Sequence, residues 1–451
     1  MILDKLINFL KDSNVFLSGS AGVGKTFLTM ELIKSYRKQG KVVVVLGSSA
    51  LSAFNIGGAT LHSFFAFKRC QNYDELYYED RKQKDKLEKI KRILEQCDLL
   101  IIDEISMVSA SLMEMVYYRL TRSNFNGKVL LVGDFFQLPP VVNYKEKQFQ
   151  NTLFQNTLYA FSSQAWKDLK FINLQLNITK RTLDKQFYEY LFFIRTGRIN
   201  QEILIFFKKM LIDSKNLLNY MDEYILLCAT NRKTNFINEE KLSLLKNKEM
   251  IFKSKSEKLD QFLDDNNLRQ WIKGLNSLEE LKLKIGAKII FCVNNKEENY
   301  YNGEQGIVLD FIKDENQEII LIEKSNGERI KLKAYEFALE EYELGNDEKI
   351  EVKIKAKFIQ FPIKLAYAIT IHKSQGMSID KLICDIDGIF EKGQLYVCLS
   401  RAINPCNLKI VYNYKIPFED YFLRILKVDK EVKQFYLEEK FIDLESKEEN
   451  I

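Results

Sequence analysis

The chain has 451 residues, 46% of them hydrophobic and 29% charged, with a formal net charge of +5. That balance is ordinary for a soluble globular protein of two to four domains, and a charge this small does not by itself announce a polyanion partner. Seven scattered cysteines without a C-x-x-C pair, beside only two histidines, suggest neither a disulfide framework nor a zinc site and fit a reducing compartment.

The opening stretch MILDKLINFLKD is amphipathic and mixed in charge. It lacks the basic start and cleavage site of a signal peptide, and no apolar run in the chain approaches a membrane span, so a cytoplasmic protein is expected. NVFLSG then reads as a buried strand ending in a turn. GSAGVGKT follows and matches G-x-x-x-x-G-K-[ST] in full, between that strand and a helix that Gly40 is placed to stop. Glycines at this spacing let the backbone N–H groups of Gly19, Ser20, Ala21, Gly22, Val23 and Gly24 turn toward phosphates, with the positive end of the helix behind them. Lys25 is expected to reach the β- and γ-phosphates of ATP, and Thr26 to hold Mg²⁺.

KVVVVLG is a second buried strand, and NIGGATLHSF contains His62, one of the two histidines. RCQNYDELYYEDRKQKDKLEKIKR comes next, with seven basic residues between Arg81 and Arg92 that read equally as a phosphate contact or a solvated helix face. CDLLIIDE and GKVLLVGD are the third and fourth buried strands. Asp103 leaves the first of them where its carboxylate can approach a metal, and Glu104 beside it can polarise an attacking water. GDFFQLPPV places Gln137 in the following turn, stiffened by Pro139 and Pro140, two of five prolines in the chain.

A second α/β pattern follows. EYILLCATN, LAYAITIH, KLICDI and NLKIVY read as buried strands, and QLYVCLSRA as a helix. Between them, Asn238 to Lys284 reads as helical and solvated. Ile285 to Phe358 shows short alternating runs with a hairpin turn at Ser325-Asn326-Gly327, and VKIKAKF puts Val352, Ile354, Ala356 and Phe358 on one face. TIHKSQG places His372, the second histidine, beside Lys373 and Gln375. A pH switch, a metal ligand, a nucleic-acid contact and a residue satisfied within its own loop all remain open from the residues alone.

Taken in order, GSAGVGKT, NIGGATLHSF, DEISM, GDFFQLPPV, AITIHKSQGMSID and GQLYVCLSRA resemble the Pif (petite integration frequency) family of RecD-like superfamily 1B DNA helicases, over about Val15 to Val411. The resemblance implies an α/β fold class of two RecA-like P-loop NTPase domains with parallel sheets and ATP bound between them. Its division would be a first RecA-like domain, 1–188, with a wedge-like insert at 65–95, and a second, 189–427, with an SH3-like β-barrel insert at 285–351. A charged C-terminal tail, 428–451, reads as a solvated helix without a role. The resemblance gives Gln137 to coupling of the γ-phosphate and Arg181 and Arg401 to contact with it. Gln375 and Gly376 would approach the same phosphate. Asn55, Thr60, His62, Asn231, His372 and Lys373 would touch single-stranded DNA, and Tyr300 and Tyr301 of the barrel would stack bases or fill its core.

Two departures from the family pattern stand out. No glutamine precedes the P-loop, Gln39 being the first, which loosens the expected preference for ATP over GTP; and Lys180 stands before Arg181 where an aromatic residue is expected. The function implied is an ATP-dependent motor that moves 5′ to 3′ along single-stranded DNA as a monomer and unwinds duplexes at single/double-strand junctions. An RNA helicase of the same superfamily, or a nucleotide-gated DNA-binding or remodelling ATPase without unwinding, are the alternatives.

Overall fold

Strand β1 (Val15–Gly19) shows how the first sheet is built. Its residues alternate between two faces, and both faces are covered. Phe16 enters one core with Phe135, Trp166 and Phe435, while Val15 and Leu17 enter another with Leu6, Leu10 and Leu32. Helices α1 (Ile2–Asp12) and α2 (Lys25–Lys38) supply the second core. The later helices Lys84–Gln96 and Ala110–Arg122 supply the first, through Ile90, Ile93, Met113 and Val116. The result is helix, sheet, helix, the layering a run of fully apolar strands requires.

The computed structural model describes residues 2–68, 70, 72–140, 158–261, 263–275, 277–314, 317–345, 349–413 and 415–446. Val141, at the end of GDFFQLPPV, and the last five residues of the tail lie outside them. The chain forms two compact units: Met1–Lys180 with Glu340–Lys353 and Val428–Ile451, and Arg181–Leu339 with Ile354–Lys427. Among the described residues no helix is long and apolar enough to cross a membrane.

In the first unit, β1 is joined by β2 (Val43–Gly47), β3 (Ala59–Thr60), β4 (Leu99–Asp103), β5 (Lys128–Gly133) and β6 (Ile172–Leu176). The order across the sheet is C-terminal strand, β6, β1, β5, β4, β2, β3. All pairs are parallel, with Ser18 opposite Gly133, Gly19 opposite Leu176 and Gly47 opposite Asp103. That register levels the C-terminal ends of the strands, so the loops leaving β1, β4 and β5 rise from one edge. Open α/β sheets bind ligands there.

The C-terminal strand is Phe441–Asp443, preceded by a helix, Lys430–Glu438. It pairs in parallel with β6, and Val432 and Phe435 are buried in the core on the Phe16 face. The expectation of a solvated tail therefore fails for residues 428–446. Its charges hid a helix whose apolar positions Val432, Phe435 and Tyr436 recur at helical spacing.

In the second unit, a five-stranded parallel sheet has the order Ala368–Thr370, Ile225–Cys228, Leu382–Asp385, Leu408–Val411, Leu211–Ile212. Between its Ile225–Cys228 and Ala368–Thr370 strands runs a five-stranded antiparallel sheet. It is ordered Arg329–Leu332, Gln317–Lys324, Gln305–Asp314, Lys288–Phe291, Ile363–Leu365, with a turn at Gly327 whose φ is +83°. Tyr300 is buried there and stacks on Phe291 at 4.8 Å, so it fills the core, while Tyr301 is exposed. Asn238–Lys284 is not uniformly helical: two helices, Asn231–Leu244 and Asp265–Gly274, alternate with strands Met250–Lys253, Lys255–Lys258 and Glu280–Leu283. Nor does VKIKAKF bury one whole face, since Ala356 and Phe358 are buried but Val352 and Ile354 are exposed.

Candidate nucleotide and strand-contact sites

The P-loop is a tight turn off the end of β1. A side chain at Gly19 would sit 2.7 Å from the Leu176 carbonyl oxygen and 2.8 Å from Val23 Cγ2, so the loop closes only around glycine. Gly24 has φ +94°, in the left-handed region, and starts α2 without a side-chain cap. The first N–H groups of α2 thus remain oriented toward an anion. Lys25 Nζ lies back along the loop, donating to Gly19 O at 2.6 Å and Ser20 O at 3.1 Å. These are neutral carbonyls, which the more strongly accepting phosphate oxygens can replace. Thr26 is exposed at the first turn of the same helix.

Asp103 ends β4 on the same edge. Burial, and then the Glu104 carboxylate, push its carboxyl up to about 7, against the opposing pull of a backbone hydrogen bond at Glu104 and of the Lys25 ammonium. Glu104 has φ +54°, rare for a residue with a side chain, and opens a short 3₁₀ turn, Ile105–Met107. Such strain collects where neighbouring structure fixes a side chain for use. Gly133, at the end of β5, has no room for a Cβ, which would meet Ile105 Cγ2 at 2.9 Å.

The raised Asp103 pKa carries a sign. A carboxyl at its usual 3.8 when unfolded and about 7 when folded makes the folded state hold the extra proton. Stability is then lost as pH rises between those values and stays reduced above them. Asp103→Asn should melt a few degrees above the parent at pH 8 in EDTA, and the gap should shrink toward pH 5. Thermal melts at the two pH values check this; an equal gap at both would mean the carboxyl is not held protonated.

Gln137 is buried and held by Asp134, a residue the motif reading passed over. Asp134 is fully buried; its carboxylate accepts from the Phe136 N–H at 3.2 Å and from Gln137 Nε2 at 3.5 Å, and its carbonyl accepts from the Gln137 N–H at 2.9 Å. The signal was available, since an aspartate opening a turn commonly hydrogen-bonds the backbone two residues on.

At the far side of the sheet, Asn55 lies in the helix Ala50–Ile56, and Thr60 ends β3. Thr60 Oγ1 accepts from the Ser63 N–H at 3.2 Å, capping the turn Leu61–Phe64 that carries His62. His62 is half-buried, edge-on to Phe67 at 6.2 Å, and burial holds its pKa below the usual value, which favours a neutral imidazole. Segment Glu340–Lys353 reaches this region. Tyr342 Oη accepts from the Val45 N–H at 3.0 Å, and Glu341 accepts from Ser63 Oγ at 3.3 Å. Nothing in the local residue pattern announces that contact.

The second unit brings Arg181, Arg401 and the Ser374–Met377 loop together. Arg181 donates to Ser378 Oγ at 2.8 Å and to Ser400 O at 2.6 Å. Arg401 is almost wholly buried; it donates to Val397 O at 3.0 Å, Ser400 Oγ at 3.0 Å and the Ser374 and Met377 carbonyls at 3.4 and 3.5 Å. Its grip spans Gln375 and Gly376. Burial, and then the neighbouring Arg401 charge, hold Arg181 well below the usual arginine range. Two converging guanidinium groups raise each other's cost, and an anion between them would relieve it.

On the same C-terminal sheet edge, His372 follows Thr370, and Asn231 is exposed at the start of the helix after Ile225–Cys228. His372 Nε2 lies 3.0 Å from Glu391 Oε2, a partner that sequence spacing did not reveal. Lys373 is exposed. Lys364 lies near it; burial, countered by Cys292 and reinforced by the Lys373 charge, brings Lys364 down to about 8. Lys364 was missed because it sits in an apolar strand, Ile363–Leu365.

A model of the PIF1-like helicase family matches residues 1–203. The "ATP-dependent DNA helicase Pif1" of Campylobacter jejuni is 55% identical over 452 residues, covering all of both chains. A crystal structure of Bacteroides sp Pif1 with ADP-AlF4 matches with TM-score 0.81 and 28% identity, covering 97% of this chain and 96% of that one. A Bacteroides Pif1 structure with ADP-AlF3 and single-stranded DNA matches with TM-score 0.63, 28% identity and 97% of both chains covered. With a P-loop set on one parallel sheet, an arginine pair on another and full-length identity of this order, the chain belongs to the PIF1-like helicase family.

Proposed function

We propose that the protein is an ATP-dependent DNA helicase that translocates 5′ to 3′ along single-stranded DNA and unwinds duplex at the junction. The observation that carries this reading is the convergence of Arg181 and Arg401 around the Gln375–Gly376 loop in one unit, matched by Lys25, Asp103 and Gln137 on one sheet edge of the other. Phosphoryl transfer depends on positioning and charge neutralisation, and these groups supply both. Lys25 and the P-loop N–H groups bind the phosphates, Glu104 orients the attacking water, and the arginines stabilise the charge that develops on the transferred group.

Mg²⁺ fits the oxygen donors present, an exposed hydroxyl at Thr26 and the carboxylate of Asp103. Bound there it would neutralise charge on the phosphates. A dication there would favour the ionised Asp103 carboxylate, opposing the burial and the Glu104 charge that hold its proton on. Asn55, Thr60, His62, Asn231, His372 and Lys373 are the strand contacts of this reading. Six of the seven cysteines are buried and all are free, which supports a reducing, cytoplasmic setting. The antiparallel strands from Lys288 to Leu332 support reading 285–351 as an SH3-like insert, although their sheet is completed by Ile363–Leu365 beyond those bounds, and helices Tyr73–Asp80 and Lys84–Gln96 support reading 65–95 as a wedge.

Two duplexes test the reading, one with a 5′ single-stranded tail and one with a 3′ tail, each scored for strand separation with and without ATP. The expected result is separation of the 5′-tailed duplex alone, and only with ATP. Separation of the 3′-tailed duplex would reverse the polarity; binding with ATP turnover but no separation would favour a remodelling ATPase.

A further inference from the structure

The C-terminal helix Lys430–Glu438 brings Tyr436 to the two strands from which the phosphate-binding loops arise. Tyr436 Oη lies 2.7 Å from Ser18 Oγ. Ser18 is fully buried and immediately precedes the P-loop. The same oxygen accepts from the Phe135 N–H at 3.4 Å, in the turn that carries Gln137. A phenol can do both, because it has one proton to donate and lone pairs to accept. Ser18 and Gly133 stand opposite each other in the β1–β5 register, so one hydroxyl bridges the ends of both strands.

The ring is fixed as firmly as the hydroxyl. It stacks on Phe136 at 4.7 Å and on Phe441 at 4.9 Å. The backbone around it is anchored on both sides. Before the helix, Asp429 accepts from Tyr159 Oη at 3.1 Å; after it, Phe441–Asp443 pairs with β6, and Glu445 accepts from the Asn177 and Ile178 N–H groups at 2.7 and 2.6 Å. Nothing in helix stability calls for a tyrosine hydroxyl aimed at the end of β1 and the turn after β5.

We propose that Tyr436 is a positioning residue for ATP hydrolysis. Its hydroxyl fixes the Gln137 turn relative to the P-loop, so that Gln137 meets the γ-phosphate where Lys25 holds it. This rests on the roles given above to Lys25 and Gln137. Ground-state nucleotide binding depends on the P-loop and survives loss of the bridge; alignment in the transition state does not.

The test compares affinities of the full chain, with oligo(dT) and Mg²⁺, for ADP and for ADP with aluminium fluoride. Tyr436→Phe keeps the stacked ring and removes only the hydroxyl. It should weaken the aluminium fluoride complex by about fivefold and lower kcat to match, with ADP affinity and KM for ATP unchanged. Ser18→Ala should do the same, and the double variant should be no worse than Tyr436→Phe alone. A purely structural role would leave the ratio of the two affinities where it was, or lower both affinities together with the melting temperature; either result overturns the proposal. Gln137→Ala separates the bridge from the turn it positions. If it shifts the ratio and Tyr436→Phe does not, the bridge alone is wrong; if it leaves the ratio unchanged, the reading of the turn fails and the proposal with it.

Discussion

Lys25→Ala should abolish ATP-driven unwinding and reduce ATP turnover by at least about a hundredfold, while binding of single-stranded DNA persists. The ammonium rests on the Gly19 and Ser20 carbonyls, within the loop that would receive the phosphates, and alanine leaves that charge unsupplied. DNA binding survives because Thr60 and His62 belong to the β3 end of the sheet, four strands from β1. Titrating labelled oligo(dT) alongside ATPase and strand-separation assays checks both halves. Unwinding that persists in the variant would end the motor assignment.

Arg401→Lys should bind ATP within a few-fold of the parent yet hydrolyse it about a hundredfold more slowly, or worse. The exchange keeps a positive charge and removes the planar fork. Only a guanidinium can reach the Val397, Ser374 and Met377 carbonyls and Ser400 Oγ at once, and these contacts hold the Gln375–Gly376 loop against Arg401. Steady-state ATPase with saturating single-stranded DNA, beside a thermal melt, gives the answer. Turnover near the parent's would leave Arg401 as a scaffold residue with no part in the chemistry. A large fall in melting temperature with unchanged turnover per folded molecule would say the same.

The tail is the plainest lesson in what the sequence concealed. VDKEVKQFYLEEKFIDLESKEENI is rich in charge, and charge at that density usually marks a solvated face. Yet Phe435 sits among Phe16, Phe135 and Trp166, and Phe441 begins a strand of the first sheet. A short amphipathic helix and a three-residue strand carry too little periodic signal to be distinguished from a fraying end. Tyr300 shows the converse: an aromatic read as a possible base platform is packed on Phe291, and its exposed neighbour Tyr301 was indistinguishable by composition.

Residue order by itself determined the phosphate chemistry of this protein. GSAGVGKT, DEIS and GDFFQLPP each act through backbone geometry a few residues long, so their glycines and acids announce the turn they make. Apolar runs likewise announced two parallel sheets, because strands covered on both faces must be apolar throughout. Tertiary structure alone decided which distant partners meet: Tyr436 with Ser18 across 418 residues, Arg181 with Ser400 across 219, Glu391 with His372. Those contacts depend on how helices pack onto sheet faces. That packing is set by the summed burial of many side chains, and no local spacing encodes it.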